Sequence, residues 1–299
     1  MRVFVTGATG FIGSAIVKEL IHAGHSVLGL ARSESSANAL IAAGAEVHRG
    51  DLENLDSLRA GAKDTDGVIH TGFIHDFARF KEVCEVDKLA IEAIGSVLAG
   101  SNRPLIVTSG TALVKPGSLA TEDMKSTSTL HPRVSEQAAD NVMQLGVRTS
   151  VVRLSPSVHG MGDHGFVPML INIAREKGIS AYVGEARNRW NAVHRIDAAN
   201  LYRLALENAT PGARYHAVAE EAVDFKAIAE AIGKHLNIPT VSLPPEKAAD
   251  HFGWFNSFAS LDCPASSKLT RERLNWHPRQ PTLLTDMVQA DYFKLQTII

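Results

Sequence analysis

Seven residues near the start, Gly7-Ala8-Thr9-Gly10-Phe11-Ile12-Gly13, constrain this chain more than any other feature. They follow Arg2-Val3-Phe4-Val5-Thr6, a short β-branched and aromatic run that reads as a buried parallel strand. From Phe11 onward Ile12, Ala15, Ile16, Leu20 and Ile21 recur at helical spacing, and Gly24 supplies a C-cap. Strand, glycine turn and helix in that order make a βα unit whose helix N-terminus faces an anion. Gly7 permits the tight turn, Gly10 lets backbone approach a pyrophosphate, and Gly13 lets the helix pack close to the strand. The spacing is G-x-x-G-x-x-G, one residue longer in its first interval than G-x-G-x-x-G. A plain βα turn is the competing reading, and placement between strand and helix favours a phosphate cradle.

The next strand, Ser26-Val27-Leu28-Gly29-Leu30, ends where an acidic residue would bind the ribose 2′-hydroxyl of NAD. Ala31-Arg32-Ser33 stands there, with no carboxylate before Glu34. Arginine makes bidentate charged bonds to phosphate, so Arg32 and Ser33 predict NADP(H) in preference to NAD. A solvated loop arginine is the alternative.

The same rhythm continues. Helical spacing over Ser36–Ala43, Phe80–Gly100 and Ser135–Leu145 alternates with strand-like runs at Glu46–His48, Gly67–His70, Pro104–Thr108 and Thr149–Leu154. Such alternation predicts an α/β fold with a doubly wound parallel sheet and a ligand crevice outside the strand C-termini. At 299 residues the chain can bury about three quarters of its unfolded surface without staples. Its formal charge of 30 − 32 = −2 removes the basic footprint of a nucleic-acid binder. Cys84 and Cys263 offer neither a disulfide framework nor metal-ligand spacing. Met1-Arg2 leads straight into the first strand, and no run approaches the ~18 apolar residues of a membrane span. A cytoplasmic protein is expected.

At this point the sequence resembles the short-chain dehydrogenase/reductase superfamily, in its extended or atypical branch of NAD(P)-dependent epimerase/dehydratase-like proteins. The motifs are Thr6 to Gly13, Gly50-Asp51-Leu52, Ile69-His70-Thr71, Val107-Thr108-Ser109 and Arg153-Leu154-Ser155-Pro156-Ser157-Val158-His159-Gly160. Val193-His194-Arg195-Ile196-Asp197-Ala198-Ala199 and Leu274-Asn275-Trp276-His277-Pro278 follow in the family's order. The resemblance implies a Rossmann-type dinucleotide-binding domain over residues 1–160. Residues 161–299 would be mostly a smaller substrate-binding region, with segments near 190–218 returning to the Rossmann core. It also implies that Asp51 and Leu52 sit at the adenine, and His70 and Thr71 along the ribose and phosphate path. Ser109 would bond the substrate oxygen, and Ser155 and Ser157 would lie beside the nicotinamide. Asp51 as a helix cap and Ser109 as a strand-end backbone partner remain alternatives.

The family's chemistry normally rests on a Tyr-x-x-x-Lys pair on the helix after the fifth strand. Matching Ser135 and Asp140 to that helix puts Pro132 at the tyrosine and Glu136 at the lysine. The four tyrosines, Tyr182, Tyr202, Tyr215 and Tyr292, are followed four residues later by Ala186, Leu206, Ala219 and Gln296, so no such pair exists. Glu136 could accept bonds from ribose hydroxyls, but as an anion it would raise a neighbouring acid's pKa. Hydride transfer to a carbonyl still needs a proton donor or a positive group at the developing oxyanion. His131 titrates near neutrality, Arg133 can stabilise charge, and Ser109 and Thr111 can orient the oxygen or relay a proton. A loop histidine and a surface ion pair are the bland readings of His131 and Arg133.

His159-Gly160-Met161-Gly162-Asp163-His164 holds three possible metal ligands, but no H-E-x-x-H or C-x-x-C accompanies it, and no metal is expected. Phe252, Trp254, Phe255 and Phe258 suit a wall over an apolar substrate, core packing or a homodimer contact. The expectation is an NADP(H)-dependent reductase of a small apolar carbonyl compound with a non-standard proton donor. A non-catalytic NAD(P)-sensing protein and a sugar epimerase or dehydratase are the alternatives. No membrane or nucleic-acid partner is expected.

Overall fold

The computed structural model describes residues 1–76, 78–126, 132–289 and 291–294. The chain first alternates β1 (Arg2–Thr6), α1 (Phe11–His22), β2 (Ser26–Ala31), α2 (Glu34–Ala42), β3 (Glu46–Arg49) and α3 (Leu55–Lys63). It continues through β4 (Gly67–His70), α4 (Phe80–Leu98), β5 (Pro104–Gly110), α5 (Ser135–Gln144), β6 (Arg148–Leu154) and β7 (Ser157–His159). Next come α6 (Phe166–Lys177), β8 (Ser180–Val183), β9 (Arg189–His194), α7 (Arg195–Asn208), β10 (Arg214–Ala217) and β11 (Glu220–Asp224). The described part closes with α8 (Phe225–Leu236), β12 (Thr240–Leu243), α9 (Pro245–Phe252), α10 (Asn256–Ala259), α11 (Lys268–Leu274) and α12 (Leu283–Gln289).

Seven strands form one parallel sheet in the order β10-β6-β5-β4-β1-β2-β3. The order reverses between β1 and β4, where Thr6 lies opposite His70. Loops leaving those two strands part in opposite directions, which opens a crevice at the strand C-termini. Both faces of the sheet are buried, which is why its strands read as continuous apolar runs. Val3, Val5 and Ile69 pack with α1 and α7 on one face. Phe4, Val68, Leu105 and Val107 pack with α3, α4 and α5 on the other. β10 pairs with β6 at one edge of the sheet, and α7 packs on α1.

Element boundaries differ from expectation where side chains decide them. The second helix begins at Glu34, two residues early, because the extended Ser33 caps it by accepting the Ser36 N–H. The fifth strand runs to Gly110, because Ser109 and Gly110 pair with Arg153 and Leu154.

A second core joins Val167, Leu170 and Ile171 of α6 to Trp190 of β9, Phe225 and Ile228 of α8, and the aromatic run. Phe252 and Phe255 are buried in it, and the Phe258 ring meets Phe166 at 4.7 Å. Trp254 alone of the run is exposed. Most of the run is therefore core. No helix among the described residues is long and apolar enough to cross a membrane.

Candidate cofactor crevice and active site

The glycine turn is built by exclusion. Gly7 has φ +65°, and a Cβ there would stand 2.8 Å from the Gly72 nitrogen in the loop after β4. A Cβ on Gly13 would lie 2.0 Å from the Gly7 carbonyl oxygen. Gly10 donates its N–H to that same carbonyl at 2.9 Å and serves as N-cap of α1 without any side-chain cap. The first-turn N–H groups beside Phe11 and Ile12 are thus left open to an anion. A side chain at Gly7 or Gly13 would run into backbone, so only glycine keeps this turn shape, and the uncapped N–H groups it presents fit a dinucleotide diphosphate.

At the end of β2, Arg32 is exposed and forms no ion pair among the described residues. Glu34, the nearest carboxylate, is drawn off by Arg49 at 2.6 Å, which also donates to the Ser33 carbonyl at 3.0 Å. The Ser33 hydroxyl lies 2.9 Å from that of Ser35 and 3.0 Å from that of Ser36, and Thr9 reaches Ser36 at 3.4 Å. A guanidinium and four hydroxyls therefore share this corner. Ser35, Ser36 and Arg49 were missed in the sequence. The run of serines after Arg32 was the available signal, whereas Arg49 needs the β2–β3 pairing to come near. Asp51 does not cap α3; Asn54 does, and Asp51 instead accepts the Glu53 N–H in a local turn. Leu52 sits against Gly72, where a Cβ would come within 2.9 Å of its methyl.

His70 departs from its expected place beside the cofactor. Its ring is buried, with Nδ1 at 2.9 Å from the Thr6 hydroxyl and Nε2 at 3.2 Å from Asp87. Both nitrogens are occupied beneath the crevice, so its role is structural. Burial works against the Asp87 charge, but His70, the Arg133 field and the Ser135 hydroxyl outweigh it and hold the carboxyl below its usual range. The Thr71 hydroxyl is likewise committed, donating to the Thr6 carbonyl at 2.7 Å.

At the end of β5, two expectations require correction. The Thr111 hydroxyl is buried and donates to the Asn191 side chain at 3.0 Å and toward the Leu154 carbonyl at 3.2 Å, so it cannot reach a substrate. Glu136 does not offer itself to a ribose. Arg153 grips both of its oxygens at 2.8 Å, and Arg214 adds a third bond at 3.0 Å. Burial opposes the Glu136 charge, yet these arginines and the Ser109 hydroxyl hold its pKa below the ordinary range. A carboxylate only accepts, so Ser109 is the donor in that contact. His131 lies outside the described residues.

Arg133 lies at the C-terminal end of β5. Its guanidinium stacks 4.3 Å over the Phe73 ring, donates to the Thr108 carbonyl at 3.3 Å and reaches the Ser135 hydroxyl at 3.1 Å. That places a permanent positive charge one residue before Ser109 on the strand end. Phe73 also meets His75 edge-on at 5.3 Å. Crowding by surrounding protein, then Arg133 and His164, push the His75 pKa down. Sequence reasoning missed His75, which sits in an aperiodic loop. Tyr202, one of the four tyrosines, is buried with its hydroxyl 2.7 Å from Thr108 and plays no such part.

Ser155 donates to the Ala217 carbonyl at 2.8 Å, while the buried Ser157 hydroxyl has no partner among the described residues. In the following loop, His159 bonds Asp286 at 2.8 Å, and Asp163 accepts from Tyr292 at 2.8 Å and from the Gly165 N–H at 2.7 Å. His164 instead turns to the Phe11 ring, 5.7 Å away. The three side chains point to different partners, and no group of three metal-binding side chains converges among the described residues.

A doubly wound sheet, a glycine cradle at its switch point and a serine at the fifth strand end define a dinucleotide-binding protein of the short-chain dehydrogenase/reductase type. Residues 3–218 match the NAD dependent epimerase/dehydratase family, and the chain belongs to it. An uncharacterized protein of Schizosaccharomyces pombe is 53% identical over 295 residues, covering 98% of this chain and 100% of the relative. A ketoreductase of Stigmatella aurantiaca acting on a farnesyl dihydroquinoline oxide is 27% identical, covering 85% of this chain and 80% of its own. Among solved structures, a dTDP-glucose 4,6-dehydratase of Streptomyces venezuelae superposes with a TM-score of 0.77 at 16% identity, covering 99% of this chain and 98% of that one. That last likeness concerns the fold.

Proposed function

We propose that this protein is an NADP(H)-dependent reductase of a carbonyl compound, in which Arg133 takes over the charge-stabilising task of the missing tyrosine. The observation that carries this reading is the Arg133 guanidinium beside the β5 end, adjacent to Ser109. Gly7, Thr9, Gly10, Phe11, Ile12 and Gly13 would hold the diphosphate, Arg32 and Ser33 the 2′-phosphate, and Asp51 and Leu52 the adenosine side. Bound there, the reduced nicotinamide supplies the hydride.

The chain's own residues do the rest. A carbonyl carbon that accepts hydride leaves negative charge on its oxygen, and a fixed cation at that oxygen lowers the barrier. Arg133 is oriented by Ser135 and the Thr108 carbonyl, so little reorganisation is needed. It stays protonated, so the proton that completes the alcohol comes from another group or from solvent. Ser109, whose proton goes to Glu136, offers its oxygen as an acceptor that aligns the alcohol form. Reductase relatives such as the ketoreductase and a vestitone reductase of Medicago sativa support the reaction class.

One observation favours a second reading. With Glu136 locked to Arg153, nothing at the family's lysine position anchors a ribose, as suits a protein that binds the dinucleotide without turnover. NADPH oxidation against a panel of ketones and aldehydes decides between them. Turnover above background is expected; proven NADPH binding with no turnover on any carbonyl favours the sensor.

A further inference from the structure

Arg195, at the start of α7, is held in one pose beside the glycine cradle. One terminal nitrogen donates to the Met161 carbonyl at 2.8 Å, and the other reaches the Ser14 hydroxyl at 3.2 Å. The guanidinium lies 4.7 Å over the Phe11 ring. Its aliphatic stem fills the space above Gly160, where a Cβ would come within 2.9 Å of Arg195 Cγ. Phe11 and Ser14 belong to the first turn of α1, whose free N–H groups face the crevice.

No carboxylate stands within ion-pair distance of Arg195 among the described residues. Asp163 acts on it only through space, because the Asp163 oxygens are taken by Gly165 and Tyr292. Burial accordingly lowers the Arg195 pKa, with only Asp163 opposing. A half-buried cation held in place by stacking and hydrogen bonds, with no carboxylate in direct contact, suits an anionic ligand.

We propose that Arg195 is a further cofactor-binding residue, whose guanidinium neutralises the dinucleotide diphosphate at the N-terminus of α1. The inference rests on the reading of this crevice as the dinucleotide site. The charge contacts a part common to NADPH and NADH, so it contributes affinity without choosing between them. Through Met161, the same side chain also ties the loop after β7 to that site.

Equilibrium titration of the wild type, Arg195→Gln and Arg195→Lys with NADPH, NADH and adenosine 2′-monophosphate tests this. Arg195→Gln is expected to weaken both dinucleotides by the same factor, about tenfold or more, with Arg195→Lys intermediate. Adenosine 2′-monophosphate, which lacks the diphosphate, should bind as before. Unchanged dinucleotide affinity in Arg195→Gln overturns the proposal, as does an equal loss for adenosine 2′-monophosphate or a loss confined to NADPH. If the wild type binds neither dinucleotide, the reading of the crevice fails and the proposal with it.

Discussion

The Glu136 carboxylate and the Arg153 guanidinium meet in two hydrogen bonds of 2.8 Å that join α5 to β6. Arg153 is fully buried on β6 and Glu136 nearly so on α5, at the position that the resemblance matches to the family's lysine. The ion pair commits the Glu136 side chain to the protein interior. Removing one partner of a buried pair leaves an uncompensated charge, which typically costs about 3–5 kcal/mol.

Restoring the family residue should therefore fail. Glu136→Lys puts a third cation beside Arg153 and Arg214, and urea denaturation should register a loss of at least ~3 kcal/mol. A variant as stable as the wild type would show that the pair does not hold α5 to β6.

His216 makes the same junction sensitive to pH. Its Nδ1 faces the Ser266 carbonyl at 2.7 Å and its Nε2 faces the Arg153 guanidinium at 3.1 Å, an arrangement that requires the neutral ring with its proton on Nδ1. Burial and then Arg153 push its pKa down to about 4 from 6.5. Below pH 6.5 the unfolded chain takes up the proton and the folded one does not, so this contribution declines from pH 6.5 to about 4 by roughly 3 kcal/mol. Asp163, pushed up by burial to about 6, acts in the opposite sense: its contribution is full below the ordinary carboxyl range and lost as pH rises through 6. Comparing wild type with His216→Asn across pH 4–7 isolates the histidine. The variant should show a shallower acid decline, and parallel curves would contradict the assignment.

Gly13→Ala should damage cradle and fold together. The added methyl would sit 2.0 Å from the Gly7 carbonyl oxygen, so β1 and α1 must separate. A stability loss of about 1–3 kcal/mol is expected in thermal melts, with dinucleotide affinity falling in parallel titrations. Wild-type values in both would mean the close approach is not needed.

Cofactor choice turns on Arg32. Arg32→Ala should weaken NADPH by about 1.5–3 kcal/mol and leave NADH nearly unchanged, because only NADPH carries the 2′-phosphate. Titration calorimetry with both cofactors reads the difference directly. Equal losses would remove the argument for NADP(H).

What the sequence disclosed and what it hid follow the range of the interactions involved. Gly7, Gly10 and Gly13 were legible because a turn, a helix start and a close packing contact all lie within seven residues. The alternation of strands and helices carried the sheet for the same reason. Glu136 was misread because its partner Arg153 lies on another element. A signal was present, since an arginine inside the apolar strand Thr149–Leu154 must find a buried acid. His70 and Thr111 were misread for the same reason: their side chains turn to Asp87 and Asn191, which only the folded chain brings near. His75 lies in a loop without period and had no sequence signal.

Arg133 is proposed to supply the electrostatic stabilisation that the missing tyrosine would have given. Steady-state NADPH oxidation by wild type and Arg133→Gln, with the NADPH dissociation constant measured alongside, tests it most directly. A fall in kcat of roughly 10²–10³-fold at nearly unchanged NADPH affinity is expected. Equal kcat in the two proteins would contradict it.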